Sequence, residues 1–330
     1  VTGALRWPDR HASAAAASAP EPSAPEPSAA VAPASWEALP PPSPDELIVV
    51  IGPTASGKTE LAIRLAERFG GEVVSADSVQ IYREFDLGSG KPTPAERARA
   101  PHHLVDAADP LEAINAARFA ELADAAIADI RGRGRVPIVC GGTFLWVKAL
   151  VFGLSPAPPA DPGVRARHRA IIEAEGRAAL HARLAEVDPE SAARLAPNDA
   201  VRVSRALEIY ERSGRPQSAW HAEHGFRERR YAARLVAVHR DRAELDRRIE
   251  ARVAGWLEQG WVDEVRALLG RGYGDARAMG SVGYKQVREH LEGRLPAAEL
   301  AGAIVRATRV FVRRQRTWLR DQAIAHVALD

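Results

Sequence analysis

The chain has 330 residues, 46% hydrophobic and 27% charged, with a formal net charge of +2. That suffices for one sizeable core, or a core plus a smaller domain, in an ordinary globular composition. No run nears the roughly 18 apolar residues of a membrane span, and the single cysteine, Cys140, excludes an intrachain disulfide and suits a reducing, cytoplasmic setting.

Residues 1–44 are mostly Ala, Pro and Ser ("HASAAAASAPEPSAPEPSAAVAPAS"). Such a segment buries too little apolar surface to offset the entropy of ordering it, so a disordered, dispensable tail is expected. It lacks the apolar stretch of a secretory signal. Folded sequence begins near Glu46. "LIVVI" reads as a strand buried on both faces. After a glycine-rich loop, "ELAIRLAERF" puts Leu61, Leu65 and Phe69 on one helical face with Ala62 and Ala66 beside them. "GEVVSADS" is a second strand, ending at Asp77. A helical segment, "NAARFAELADAAIADIRGRG", precedes a third strand from Val136 to Cys140. Strands alternating with helices predict a parallel sheet with helical crossovers. The proline-rich "SPAPPADPG" breaks this pattern, and the chain then reads as short helices until "RLVAVHR" (Arg234 to Arg240) returns to a buried strand. The remainder, from Asp241, reads helical. The expected class is therefore α/β. A phosphate-loop-type parallel sheet core with helices on both faces (45–160 and 232–330) is interrupted by a helical insertion (161–231).

Gly52-Pro53-Thr54-Ala55-Ser56-Gly57-Lys58-Thr59 carries two glycines with four residues between them, then Lys and Thr. The glycines let the backbone wrap an anion with its N–H groups inward. The helix that follows adds its dipole, Lys58 a point charge, and Thr59 a hydroxyl for Mg²⁺. Basic residues are nearly all Arg; the only lysines are Lys58, Lys91, Lys148 and Lys285, so a lysine in the right slot of this motif is unusual for the composition. Strand ends cluster beside such a loop at the carboxyl edge of a parallel sheet, which brings Asp77 and Thr143 toward the anion. These residues alone leave two readings open: a nucleotide-dependent kinase, or an enzyme whose leaving group is a diphosphate.

Charge adds a hint of a polyanionic partner. Residues 161–330 hold 31 Arg and Lys against 24 Asp and Glu, whereas residues 1–160 hold 14 against 19. In the last helix Arg306, Arg309, Arg313, Arg316 and Arg320 recur at intervals of three and four, one stripe without an acid, suited to tracking phosphates. Ile304, Phe311 and Trp318 lie on another face, suited to the core.

Beyond the tail, the sequence resembles the tRNA dimethylallyltransferases, also called tRNA isopentenyltransferases. The resemblance rests on "GPTASGKT", "SADSVQIYREFDLGSGKP", "PHHLVDAADP", "IVCGGTFLWVKAL", "GLSPAPPADPGVRAR", "NDAVRVSRALEIY", "SVGYKQ" and "RQRTWLR", in the family's order and spacing. It implies transfer of a dimethylallyl group from its diphosphate to N6 of the adenosine 3′-adjacent to the anticodon. Gly52 through Thr59 would then hold the donor's diphosphate, with Mg²⁺ on Thr59. Asp77 would be the general base, and Thr143 would lie where base and donor meet. Arg205 would touch tRNA and reach the diphosphate, completing a catalytic set of Asp77, Thr143 and Arg205. The implied tRNA contacts are Asp77, Ser78, Val79, Gln80, Thr143, Arg165, Val201, Arg202, Val203, Ser204, Arg205, Ser281, Val282, Gly283, Tyr284 and Lys285, to which the stripe adds Arg309, Arg313 and Arg316. Gly280 departs from the pattern, since many relatives carry a polar side chain there. Phe144 and Trp146 suit either the prenyl pocket or the core. The expected partners are a tRNA anticodon stem-loop and dimethylallyl diphosphate, with no membrane, for a monomer.

Three rivals remain: a prenyltransferase acting on free adenine nucleotide, a phosphate-loop kinase, and a non-catalytic RNA-binding protein. A mononucleotide needs neither the insertion nor the arginine stripe. A kinase needs a site for base and ribose that the sequence does not offer, and an intact loop with Lys58 and Asp77 disfavours a mere binder.

Overall fold

A computed structural model describes residues 34–226, 228–319 and 324–329. The chain forms two compact units, residues 154–228 and the remaining described residues on either side. The division falls a few residues earlier at each end than the 161–231 read from the sequence.

The larger unit is built on a seven-stranded sheet: β1 (Ala34–Ser35), β2 (Glu46–Ile51), β3 (Gly71–Ser75), β4 (His102–His103), β5 (Val136–Gly141), β6 (Ala232–Val238) and β7 (Ile324–Ala328). Every pairing is parallel, in the order β1-β7-β6-β2-β5-β3-β4. Alternation along β2 serves both faces. Ile48 and Val50 join Leu61, Leu65, Val73, Ile138 and Val236 in one apolar cluster, while Leu47, Val49 and Ile51 point the other way and are equally buried. Helix Lys58–Phe69 supplies Leu61 and Leu65 and stops at Gly70, whose φ of 65° is left-handed. Helix Ala116–Gly132 starts on Asn115, whose side chain accepts the N–H groups of Ala117 and Arg118. β2 has β5 on one side and β6 on the other, so the crevice at its carboxyl end is where a parallel sheet admits a ligand.

Two sequence expectations need correction here. The chain after Asp241 is not all helix, because β7 pairs with β6. The tail does not run to residue 44. Residues 1–33 lie outside the described residues, but β1 pairs with β7 and Trp36 packs against the apolar cluster. Arg64 places its guanidinium 5.7 Å from the Trp36 ring centre, and Arg68 donates to the Trp36 carbonyl at 3.3 Å. One indole outweighs the surrounding Ala, Pro and Ser. Half-burying it contributes about 1–2 kcal/mol, or roughly 1.5–3 °C in a chain of this size at about 2.1 cal/mol/K of unfolding entropy per residue. A chain starting at Pro44 is therefore expected to melt lower than one starting at Ala34 by calorimetry. Equal melting temperatures would show that the docking contributes nothing.

The smaller unit is all helical: Pro162–Glu175, Arg177–Val187, Pro189–Arg194, Ala200–Ser213 and Gln217–His224. Its own cluster of Leu180, Leu184, Ala192, Val203, Ala206 and Leu207 holds it together. Glu208, fully buried, accepts from the Asp161 N–H at 2.6 Å, from Arg165 at 3.1 Å and from Arg205 at 2.6 Å. A buried carboxylate needs such partners. In the chain as a whole, no helix among the described residues is long and apolar enough to cross a membrane.

Candidate active site

The loop after β2 alternates backbone hand. Ala55 (φ 64°) and Gly57 (φ 98°) are left-handed, which turns successive N–H groups toward one concave side. Left-handed backbone is strained for alanine, and neighbouring side chains hold it in place. Arg248 donates to the Ala55 carbonyl at 2.8 Å and Arg240 to the Ser56 carbonyl at 3.3 Å. Gln315, buried in helix Ala297–Leu319, accepts the Thr54 N–H at 3.0 Å and donates to the Gly142 carbonyl at 3.1 Å. It therefore ties the loop to the end of β5.

At that edge β3 and β5 converge. The Ala76 N–H donates to the Cys140 carbonyl at 2.8 Å, and a Cβ on Gly141 would lie 2.2 Å from the Ala76 oxygen. Only glycine permits this approach. It sets Asp77 two residues past the end of β3, rather than within the strand as expected. Asp77 Oδ1 accepts from the Val79 N–H at 2.9 Å and the Gln80 N–H at 3.3 Å; Oδ2 makes no hydrogen bond among the described residues. Thr143 accepts from the Ser78 N–H at 3.1 Å and donates to Ser78 Oγ at 3.2 Å. Gln80 is turned inward, donating to the carbonyls of Ser89 and Gly90.

A cavity of about 430 Å³ gathers these groups. Thr54, Lys58, Asp77, Ser78 and Thr143 line its polar end, and Ile249, Val253, Trp256, Ile304 and Phe311 line much of the rest. Burial lowers the Lys58 pKa; Cys140 and Asp77 pull it back and Arg252 adds to the fall. Arg252 was not anticipated. Burial, then Arg248, lower its pKa while Glu96 raises it, and no carboxylate forms an ion pair with it among the described residues. It donates weakly to Thr54 Oγ1 at 3.4 Å and sits 5.3 Å over the Trp256 ring. Two desolvated cations facing one space, with apolar walls beyond, suit an anion bearing an apolar tail. The signal for Arg252 was its i,i+4 spacing from Arg248. For Gln315 it was a polar residue on the apolar face of an otherwise arginine-rich helix.

A second, small cavity of about 10 Å³ shares Lys58 and Asp77 with the first and is bounded also by Thr59, Ser75, Gln80 and His102. No cluster of three His, Cys, Asp or Glu capable of holding a metal occurs among the described residues. The side chains here offer hydroxyl, amide, imidazole, thiol and a single carboxylate, with the Lys58 ammonium beside them. That set cannot cage a cation alone, but it fits Mg²⁺, which keeps waters and takes phosphate oxygens from its ligand.

The other expected residues divide. Val79, Ser281 and Val282 line the large cavity, as does Gly280, where a side chain would meet nothing within 4 Å. Tyr284 is a correction: it is 0% exposed and its hydroxyl donates to Glu264 at 2.6 Å. A Cβ on its neighbour Gly283 would lie 2.1 Å from Trp261. Both are packing positions, unavailable for RNA contact. Lys285 is exposed and 3.8 Å from Glu289. Phe144 and Trp146 settle in the core, stacked on Trp318 and Phe119, while Phe311, expected in the core, is 39% exposed. In the helical unit Val203 is also core, a second correction to the RNA-facing set. Val201 is 81% exposed and Arg202 is exposed. Ser204 is 2.8 Å from His168 Nδ1, and Arg165 and Arg205 converge on Glu208.

The arginine stripe borders a groove of about 720 Å³ with Arg240, Arg242, Arg309, Arg313 and Arg316 along it. The stripe is not free of acids: Asp246 and Glu250 reach Arg309 from the neighbouring helix at 3.0 and 2.6 Å. Arg306, Arg313 and Arg316 are exposed; Arg320 lies outside the described residues.

Comparison with known proteins agrees along most of the chain. Residues 80–322 match the family model described as IPP transferase, and residues 45–109 match one described as isopentenyl transferase. The tRNA dimethylallyltransferase of Sorangium cellulosum (strain So ce56) is 88% identical over 300 residues, covering 91% of this chain and 96% of the relative. That of Anaeromyxobacter dehalogenans (strain 2CP-C) is 53% identical, covering 84% and 92%. Among solved structures, the tRNA isopentenylpyrophosphate transferase of Bacillus halodurans has a TM-score of 0.64 at 35% identity, covering 87% and 91%. A eukaryotic dimethylallyltransferase acting on tRNA reaches 0.70 at 26% identity, covering 86% and 74%.

Proposed function

Because the chain belongs to the tRNA dimethylallyltransferase (IPP transferase) family, it transfers a dimethylallyl group to the tRNA adenosine adjacent to the anticodon, and we propose which of its residues do so. The observation that carries the assignment is the single cavity where Lys58, Arg252 and Thr54 meet Asp77 and Thr143. The diphosphate of dimethylallyl diphosphate lies in the loop from Gly52 to Thr59, and the prenyl tail lies along Ile249, Val253 and Phe311. When bound at Thr59, Mg²⁺ supplies further positive charge to the diphosphate oxygens. The allylic C–O bond breaks, diphosphate leaves with its electron pair, and N6 of the adenosine bonds to the allylic carbon. Lys58, Arg252 and the loop N–H groups stabilise the charge that grows on the leaving oxygens. The proton released from N6 passes to Asp77, whose Oδ2 is unoccupied. Thr143 holds Ser78 and thereby the Asp77 turn. An adenine stacked in an anticodon loop must leave the stack to reach this depth.

Arg165, Val201, Arg202 and Arg205 of the helical unit, with Arg313 and Arg316, contact tRNA in this reading. Arg205, which donates to Glu208 within its own unit, is also assigned to the diphosphate in this reading. We also take the enzyme to be a cytoplasmic monomer, which sedimentation velocity checks. Incubation with labelled dimethylallyl diphosphate should label bulk tRNA and leave AMP in a parallel tube unlabelled; labelled AMP would favour the free-nucleotide prenyltransferase.

The groove gives a graded test. Arg313 and Arg316 changed together to Gln should lower the slope of log K against log salt for tRNA by about 1.4–1.8, at roughly 0.7–0.9 per lost phosphate contact. Arg309→Gln alone should change the slope little, since its charge is already matched by Asp246 and Glu250. An unchanged slope in the double variant would place the groove away from RNA.

A further inference from the structure

His102 is left without a task by the reading above. It stands in β4, paired with Val73 of β3. Its Nδ1 is 2.8 Å from the Ala100 carbonyl. A carbonyl only accepts, so Nδ1 carries the proton and Nε2 presents a lone pair. Nε2 is buried and has no hydrogen-bond partner among the described residues.

The ring borders the small cavity shared with Thr59, Ser75, Asp77 and Gln80. At about 10 Å³ that cavity has room for about one water, and a water there finds the several polar partners it needs. The surrounding protein has little to offer Nε2. The Ser75 hydroxyl donates to Gln80 Oε1 at 3.1 Å, and the Gln80 amide donates to Ser89 and Gly90. Asp77 as a carboxylate has no proton to give. Lys58, Thr59 and Cys140 border the cavity too, but the Cys140 thiol donates to the Lys58 carbonyl at 3.6 Å and neither the Lys58 ammonium nor the Thr59 hydroxyl is hydrogen-bonded to Nε2, which leaves the position open to a donor that enters the cavity.

We propose that His102 Nε2 accepts a hydrogen bond from a water held between the imidazole and the divalent cation at Thr59, which makes His102 a positioning residue for that cation. A water whose oxygen faces a cation turns its hydrogens outward and donates strongly, and a neutral imidazole fixed by its other nitrogen is a ready acceptor. Such outer partners typically set about 10–100-fold of metal affinity. The inference rests on the assignment of the cation to Thr59, and the test separates the two.

Mn²⁺, visible by electron paramagnetic resonance, is titrated into the full chain with saturating inorganic diphosphate, for wild type, Thr59→Ala, His102→Asn and His102→Gln. Asn keeps an amide N–H near Nδ1 but offers nothing to the cavity. Gln carries its amide oxygen close to the place of Nε2. Thr59→Ala and His102→Asn are each expected to weaken Mn²⁺ binding about 10-fold or more, and His102→Gln to recover most of the loss. Diphosphate affinity without metal should be unchanged in both His102 variants. Weakening by Thr59→Ala with His102→Asn within twofold of wild type overturns the role of His102 alone. No change in either places the cation elsewhere and removes both. If the variants fold poorly, ¹⁵N-histidine spectra of the wild type decide. The His102 Nε2 resonance should shift when Mg²⁺ and diphosphate are added together and stay in place with diphosphate alone, and an unmoved resonance overturns the proposal.

Discussion

Asp77→Asn is expected to lower the single-turnover rate of prenyl transfer by about 10²–10⁴-fold and to leave tRNA affinity close to that of wild type. The exocyclic amine is weakly nucleophilic and becomes acidic only as the C–N bond forms, so its proton must be taken late, by a group already in place. Two backbone N–H groups fix Asp77 through one oxygen, leaving the other without a hydrogen bond among the described residues. Asparagine keeps the size and one acceptor oxygen for those N–H groups. It cannot take a proton. The decisive comparison measures tRNA affinity and single-turnover rate on the same preparation. A normal rate removes Asp77 as the base. Lost affinity for both substrates assigns it instead to holding the Val79–Gln80 turn.

The second large effect is expected at Lys58. Changing it to Ala should cost about 2.7–4 kcal/mol of transition-state stabilisation, seen mainly in kcat. Its ammonium is desolvated, and in a space with little water a charge acts on the leaving diphosphate with little screening. The negative charge on the oxygen that leaves is greater at the transition state than in the bound donor, so the loss falls on the chemical step more than on binding. Arg252 and the loop N–H groups remain, which sets the floor of residual turnover. A kcat within twofold of wild type would sink this role for Lys58.

The phosphate loop was legible because its chemistry is local: a strand, a turn of fixed backbone hand and a helix, all within about 25 residues. The strands β2, β3, β5 and β6 were legible as buried apolar runs. β7 was not, because "IAHVA" is short, carries a histidine and follows an arginine-rich helix. β1 and β4 have two residues each and no periodicity to detect. The cations and clamps around the loop were the harder part. Arg248 and Arg252 sit among Arg247 and Glu250 in a run that reads as a solvated face; only the fold turns them toward Ala55 and Thr54. Tyr284 shows the converse error, since a motif residue in a stretch expected to contact RNA proved to be a buried anchor of the aromatic group with Phe85 and Trp261.

The Gln315 clamp spans 261 residues of sequence from Thr54. A chain made from its amino end at about 5–20 residues per second exposes the loop roughly 13–50 s before residue 315 is even polymerised. During that interval the nascent chain carries the phosphate-binding motif without the side chain that fixes its geometry. β7, which lies between β1 and β6, is later still. Contacts this distant in sequence close slowly. Competence for the reaction is therefore not acquired before residue 315 and β7 have been made, and a product terminated before residue 315 displays the loop motif without the clamp that fixes its geometry.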